Sequence, residues 1–186
     1  MLQGAQKSVT IQSPYLVMTK DALALFRDMV RRGIEVRICT NSLASTDNLQ
    51  AFSGYQKQRQ TLLKSGIKIY EFKPDPAHKR DLIERYKKLE KGAPIFAIHA
   101  KTMVVDSKTL FVGTFNFDPR SMNLNTEVGV LIDDPLLARQ VEKSIERDME
   151  PGNSWNAATD KPDRFAPAAK RRKVKLWKAL PMTAIL

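Results

Sequence analysis

Between Ser8 and Phe72 the apolar pattern switches repeatedly between the period of a strand and that of a helix, which constrains the fold more than any other feature. Ser8 to Ile11 reads as a short buried strand ended by Ser13-Pro14. Thr19 can cap a helix whose apolar positions Leu23, Phe26, Met29 and Val30 recur at helical spacing until Gly33 stops it. Ile34 to Cys39 alternates apolar and charged residues as a strand does. Asp47 is the expected cap of a second helix to about Lys64, with Leu49, Phe52, Tyr55, Leu62 and Leu63 inward and Gly66 beyond its end, and Ile67 to Phe72 is a third strand. A strand-helix-strand-helix-strand order predicts an α/β fold, a layered sandwich of a mixed β-sheet flanked by helices.

A second group of elements follows a polar, punctuated stretch. Lys73-Pro74-Asp75-Pro76 and Lys91-Gly92-Ala93-Pro94 bracket a charged segment, Arg80 to Glu90, that predicts a short exposed helix. His78 lies here without further motif residues and is expected as a solvated loop residue, with substrate contact the lesser alternative. Met103 to Val105 and Leu110 to Val112 read as strands joined by Asp106-Ser107-Lys108. On a strand, residues two apart share a face, so His99 and Lys101 are expected to project together from a rigid element and Asp106 from its other face. An imidazole is a good nucleophile near neutral pH, and an ammonium beside it attracts phosphate and stabilises charge developing on its oxygens. Gly113-Thr114-Phe115-Asn116 adds a close backbone approach, a hydroxyl and an amide, suitable partners for phosphate oxygens. Asp106 itself suits binding of backbone amides better than chemistry. Taken alone, a His-x-Lys is more commonly a surface histidine on an edge strand; the whole spaced pattern is much rarer. Val128 to Ile132 is a further strand, and Asp134-Pro135 opens a helix to Met149 with Leu137, Val141, Ile145 and Met149 as its core face.

The pattern His99-x-Lys101-x4-Asp106-x6-Gly113-Thr114-x-Asn116 resembles the signature of the phospholipase D superfamily. Phe117-Asp118-Pro119-Arg120-Ser121 with Asn123, Asn125 and Glu127 extends the resemblance, as do Gln12-Ser13-Pro14-Tyr15 and Cys39 to Asp47, which resemble the second half of bacterial cardiolipin synthase-like members. Thr114 stands where serine is usual and keeps the hydroxyl. The resemblance implies phosphodiester chemistry through a phosphohistidine: His99 as nucleophile, Lys101, Thr114 and Asn116 holding the phosphate, and Asp106 and Glu127 as further catalytic residues. It also implies that Glu127 accepts a hydrogen bond from the far nitrogen of His99; without the resemblance Glu127 is an ordinary strand-end carboxylate. Arg120 and Ser121 fit phosphate contact or loop bracing, with bracing favoured.

The implied substrate is a phospholipid, with cardiolipin synthesis from phosphatidylglycerol and a second phospholipid the favoured reaction. A single-motif homodimeric nuclease is the alternative, which a basic groove at Arg31, Arg32 and Lys57 would favour. A third alternative follows from the motif occurring once. The leaving alcohol needs a general acid, and His99 cannot serve as nucleophile and acid in one step. Either two copies pair about a two-fold axis or the chain is a C-terminal half that needs a missing N-terminal lobe.

Composition narrows the partners. The net charge of +11 predicts attraction to a polyanion, either nucleic acid or an anionic membrane surface. A single cysteine, Cys39, excludes internal disulfides and Cys-based zinc sites and is expected in the core; with two histidines, neither a metal nor a cofactor is expected. No stretch approaches the roughly 18 to 20 apolar residues of a membrane span, so a peripheral location at the cytoplasmic face of the inner membrane is expected. Residues 1–150 are expected as the catalytic lobe and 151–186 as a linker and tail, in which Asp160 to Pro167 is irregular. Lys170 to Lys178 is basic, and the chain then ends in the apolar run Ala179 to Leu186. That combination suits an interfacial segment on anionic lipid, a solvated tail packed on the domain being second choice and a nucleic-acid arm third.

Overall fold

The structure, a computed structural model, describes residues 1–83 and 94–179. Three parallel strands, β1 (Ser8–Gln12), β2 (Glu35–Asn41) and β3 (Lys68–Phe72), form the centre of a sheet and are linked by helices α1 (Lys20–Arg31) and α2 (Leu49–Lys64). The chain then runs through α3 (Lys79–Ile83) to a wing of antiparallel strands, β4 (Thr102–Val105), β5 (Thr109–Gly113) and β6 (Gly129–Asp133), with the short α4 (Pro119–Asn123) before β6. Helix α5 (Pro135–Met149) crosses back over the sheet, and β7 (Ser154–Asn156) pairs antiparallel with β3. The result is a mixed seven-stranded sheet in the order β6-β5-β4-β1-β2-β3-β7, the α/β sandwich expected from the pattern.

Strand alternation assigns each face its own core. Val9, Ile11, Val36 and Ile38 pack with Phe26, Met29 and Leu62 beneath α1 and α2. On the other face Cys39, Val104 and Leu110 meet Ala138, Ile145 and Met149 of α5. Burial of side chains such as Phe26 and Leu62, both fully enclosed, contributes about 1.5–3 kcal/mol each. Thr19 caps α1 by accepting from Ala22 N at 3.2 Å, and Gly33 takes the left-handed φ of 82° after its end.

Several details differ from the sequence expectation. The cap of α2 is Asn48, which accepts from Gln50 N and Ala51 N, so Asp47 is free for other contacts. The buried stripe of α5 runs through Ala138, Glu142, Ile145 and Met149, while Leu137 stays 36% exposed. Strict fours drift around a helix of 3.6 residues per turn, whereas mixed steps of four and three follow its axis. Glu142 tolerates burial because Thr10 Oγ1 (2.9 Å), Ser107 Oγ (2.5 Å) and Arg37 Nη2 (3.1 Å) all donate to it. His78 is not solvated: its side chain is 8% exposed and its Nε2 lies 3.1 Å from Asp148 Oδ1. Burial pushes the Asp148 carboxyl up against the opposing pull of Gln12 and His78.

The sheet takes in residues beyond the expected lobe boundary at 150. Strand β7 forms its edge, the stretch expected to be irregular contains a 3-10 turn at Pro162–Phe165, and helix α6 (Ala168–Ala179) packs along α2 with Val174 fully buried. Residues 84–90 of the expected Arg80 to Glu90 helix, and 180–186 of the apolar terminus, lie outside the described residues.

Candidate active site

All the motif residues except Asp106 gather where β1 and β2 end, β4 and β6 begin and β5 ends, the end of an open α/β sheet that commonly holds ligands. His99 and Lys101 do not sit on a strand; they belong to the segment that leads into β4. What fixes that segment is Asn41, 2% exposed at the end of β2. Its Nδ2 donates to Ile98 O at 2.9 Å and its Oδ1 accepts from Ile98 N at 2.8 Å. Gly113 N also donates to Lys101 O at 3.1 Å, and Lys101 Nζ returns to His99 O at 2.9 Å. The His99 imidazole is exposed and has no hydrogen-bond partner among the described residues. It is therefore displayed by a clamped backbone rather than buried in a network.

Gly113 earns its place through space. A Cβ there would lie 2.6 Å from Val128 O and 2.8 Å from the Phe111 ring, so the close approach that requires glycine is to β6 and not to a ligand. Beyond it the Thr114 hydroxyl donates to Glu127 Oε2 and accepts from Val128 N at 3.0 Å. Its proton is thereby committed to Glu127. The hydrogen bond from Thr114, joined by Ser121, Asn125 and the charge of Lys101, holds the Glu127 carboxyl below its ordinary value. Among the described residues Glu127 accepts from Thr114 and Asn125, and no bond from His99 reaches it. Asn116 has its backbone N–H on Ser121 Oγ at 3.2 Å, while its buried Oδ1 has no partner among the described residues. Ser121 also donates its backbone N–H to Asp118 Oδ1 at 2.8 Å, so it braces the loop. Arg120 contributes its carbonyl, which accepts from Leu124 N and Asn125 N.

Three residues at the site, Tyr15, Asp47 and Asp118, stood in the sequence stretches that carry the resemblance without a role in the chemistry. Tyr15 Oη donates to Asp47 Oδ1 at 3.2 Å, and burial together with Asp47 raises the Tyr15 hydroxyl. Partial burial lowers the Lys101 ammonium, against the opposing charges of Glu127, Asp47 and Asp118. Lys101 thus lies among the carboxylates of Glu127, Asp47 and Asp118. The available signal was that Tyr15, Asp47 and Asp118 all fall in loops after strand ends, where side chains are free to converge.

Asp106 stands at the other end of β4, roughly 16 Å of strand from Lys101. It accepts from Gln6 N (3.0 Å), Lys7 N (2.7 Å) and Ser8 N (3.0 Å). Burial alone would raise this carboxyl, but those amides and the Lys108 charge hold it below its ordinary value. Arg31 and Arg32 lie toward the same end, both paired to Asp28, with Arg32 Nη1 also donating to Ala5 O. Among the described residues their bonds go to Asp28 and Ala5 and none to His99. Among the described residues no group of three or more His, Cys, Asp or Glu could hold a metal ion, and no helix is long and apolar enough to cross a membrane.

Comparison with known proteins agrees with the motif. The family model described as "Cardiolipin synthase, PLD-like domain" matches residues 1–149. Cardiolipin synthase C of Escherichia coli (strain K12) is 42% identical over 143 residues, which are 77% of this chain and 30% of the relative; the chain thus spans less than a third of that protein's length. Two crystal structures share the fold. Nuc from Salmonella typhimurium, titled a phospholipase D family member, has a TM-score of 0.58 at 18% identity over 83% of this chain and 86% of its own. Phosphatidylserine synthase of Haemophilus influenzae Rd KW20 has a TM-score of 0.63 at 16% identity and covers all of this chain with 43% of its own. With its motif, its sheet and the family match over residues 1–149 in agreement, the chain belongs to the phospholipase D superfamily of enzymes as a cardiolipin synthase-like member.

Proposed function

We propose that this chain is a catalytic lobe for phosphatidyl transfer, working on phospholipid at a membrane surface. His99 attacks the phosphodiester phosphorus and forms a P–N bond while the P–O bond to the leaving alcohol breaks; a general acid protonates that alcohol. Water or an acceptor alcohol, such as the glycerol headgroup of phosphatidylglycerol, then attacks phosphorus and gives its proton to the base that the general acid has become, while the P–N bond breaks and restores the imidazole. Lys101 and Asn116 hold the phosphate oxygens. Thr114, its proton given to Glu127, fixes the carboxylate that balances Lys101. The observation that carries this reading is the exposed, unpartnered His99 held beside Lys101 on a segment clamped at Ile98 by Asn41.

The general acid comes from a second motif-bearing lobe, in another copy of the chain or in another part of a longer protein. The bare edge of the sheet supports this. Strand β6 and its flank expose Val128 (70%), Val130 (58%) and Leu131 (59%), an apolar edge with no strand paired to it among the described residues, of the kind proteins normally cover. The chain is peripheral to the inner membrane on its cytoplasmic face in this reading. Nothing at the site favours nucleic acid over lipid.

The test is lipid turnover by the chain on phosphatidylglycerol vesicles, read by mass spectrometry for cardiolipin and phosphatidic acid, with the native mass measured in the same buffer. Product that disappears in His99→Ala, from a species larger than a monomer, is expected. Equal product from His99→Ala refutes the mechanism, and cleavage of DNA without lipid turnover moves the substrate to nucleic acid.

A further inference from the structure

Helices α2 and α6 enclose a recess of about 380 Å³ that the proposed chemistry does not use. Its floor is already neutralised. Arg59 forms a two-pronged pair with Asp163 (3.0 and 2.8 Å) and lies 3.0 Å from buried Glu71, and Gln56 Nε2 also donates to Asp163 at 2.8 Å. Its wall is not. Arg171, Lys175 and Lys178 recur at helical spacing on α6, are exposed, and form no ion pair with any described residue. The one carboxylate in the recess lining, Asp163, is taken by Arg59 and Gln56, and cations left over at the mouth of a polar recess fit an anion with several oxygens.

Position relates this recess to the catalytic end. Lys170, on the first turns of α6, donates to Ala44 O at 2.9 Å and Thr46 O at 2.8 Å, in the loop that carries Asp47 to Tyr15. The first turn of the basic helix is therefore anchored in a loop at the end of the sheet where His99 is displayed, and the recess lies beside α2 from there. Apolar groups accompany the cations: Leu176 is 67% exposed on α6, and Phe165, in the turn that supplies Asp163, is 47% exposed. Exposed apolar side chains among cations suit the headgroup boundary of a bilayer and have no partner on a nucleic-acid backbone.

We propose that the α2–α6 recess binds the phosphate headgroup of an anionic phospholipid and holds the lobe on the membrane with its catalytic end beside the lipid headgroups. The inference rests on the lipid reading above for its purpose, and its test measures binding and not turnover. The full chain is floated with vesicles of phosphatidylcholine alone and of phosphatidylcholine with phosphatidylglycerol. The variant Arg171→Ala/Lys175→Ala/Lys178→Ala is compared with Lys7→Ala/Lys20→Ala/Lys143→Ala, which removes the same charge from exposed positions elsewhere.

Each cation at an anionic surface contributes about a factor of five, so the α6 variant is expected to bind phosphatidylglycerol vesicles roughly a hundredfold more weakly, with the control variant close to the parent. Equal losses in both variants would show a diffuse charge effect and overturn the site. So would unchanged vesicle binding in the α6 variant, or a loss confined to a DNA oligonucleotide run in parallel. A thermal melt of each variant separates loss of binding from loss of fold, and His99→Ala is expected to bind vesicles as the parent does whatever its turnover.

Discussion

Replacing Asn41 by alanine tests how the nucleophile is held. The side chain is 2% exposed and makes both bonds to Ile98 that an extended backbone can offer, 2.9 Å to its carbonyl and 2.8 Å from its amide. Removing it leaves a donor and an acceptor without partners next to a side chain that is only 6% exposed. Each orphaned group costs about 1–3 kcal/mol if it stays buried. The neighbours Ile95, Ala97 and His99 are exposed, and the segment leading into β4 can lift to rehydrate the two groups, which limits the loss to about 2 kcal/mol. Urea unfolding followed by tryptophan fluorescence should show a lower midpoint with an unchanged slope. Hydrogen exchange at the Ile98 amide should accelerate roughly thirtyfold, the equivalent of that energy. Asn41→Asp keeps the acceptor, loses the donor and buries a charge, so it is expected to be at least as damaging. A stability change below about 0.5 kcal/mol with Ile98 still protected in Asn41→Ala would refute the clamp.

Two further substitutions separate structural from chemical roles. Asp106→Asn should destabilise the chain by about 1 kcal/mol at neutral pH through loss of charge-assisted bonds to the amides of Gln6, Lys7 and Ser8, without changing the pH profile of any turnover. The folded carboxyl titrates below its unfolded value, so its contribution is present above that value and fades as the pH falls below about 4; thermal melts of parent and variant should converge there, and a constant gap would contradict this. Glu142→Ala strands Thr10, Ser107 and part of Arg37 beneath α5 and should cost about 2–3 kcal/mol in denaturant titration, moderated because Arg37 keeps Glu146 at 2.6 Å; a neutral result would mean that the buried polar layer does not hold the helix.

What could be read in advance was what nearby residues settle among themselves. Thr19, Gly33 and Gly66 punctuate α1 and α2 through caps and left-handed turns, and the strand runs between them needed only their own alternation. Asp134 with Pro135 opens α5 in the same local way. Choices made by distant partners were opaque. Glu142 is charged and buried because Thr10, Ser107 and Arg37 arrive from other elements, and His78 is enclosed because Asp148 meets it from α5. Strand β7 is three residues long, too short for alternation to show, and exists because the open edge of β3 accepts it. At the site, spacing picked out His99, Lys101, Thr114 and Asn116 and only the family resemblance added Glu127, whereas the commitment of Thr114 to Glu127 and the use of Asn41 as a clamp depend on how loops from β2, β4 and β5 meet.

The pairing of β7 with β3 also sets an order of assembly. Phe72 finds its outer partner in Ser154, and Arg59 finds one of its carboxylates in Asp163, so the edge of β3 and the far side of α2 stay open on the ribosome long after their own residues have emerged. The wing from β4 to β6, by contrast, closes through neighbouring hairpins. Synthesis therefore finishes the catalytic end first and seals the opposite edge last. A version cut at Met149, where the family match stops, would carry every motif residue yet leave β3 as a raw edge, and its yield in soluble form should fall before its chemistry does.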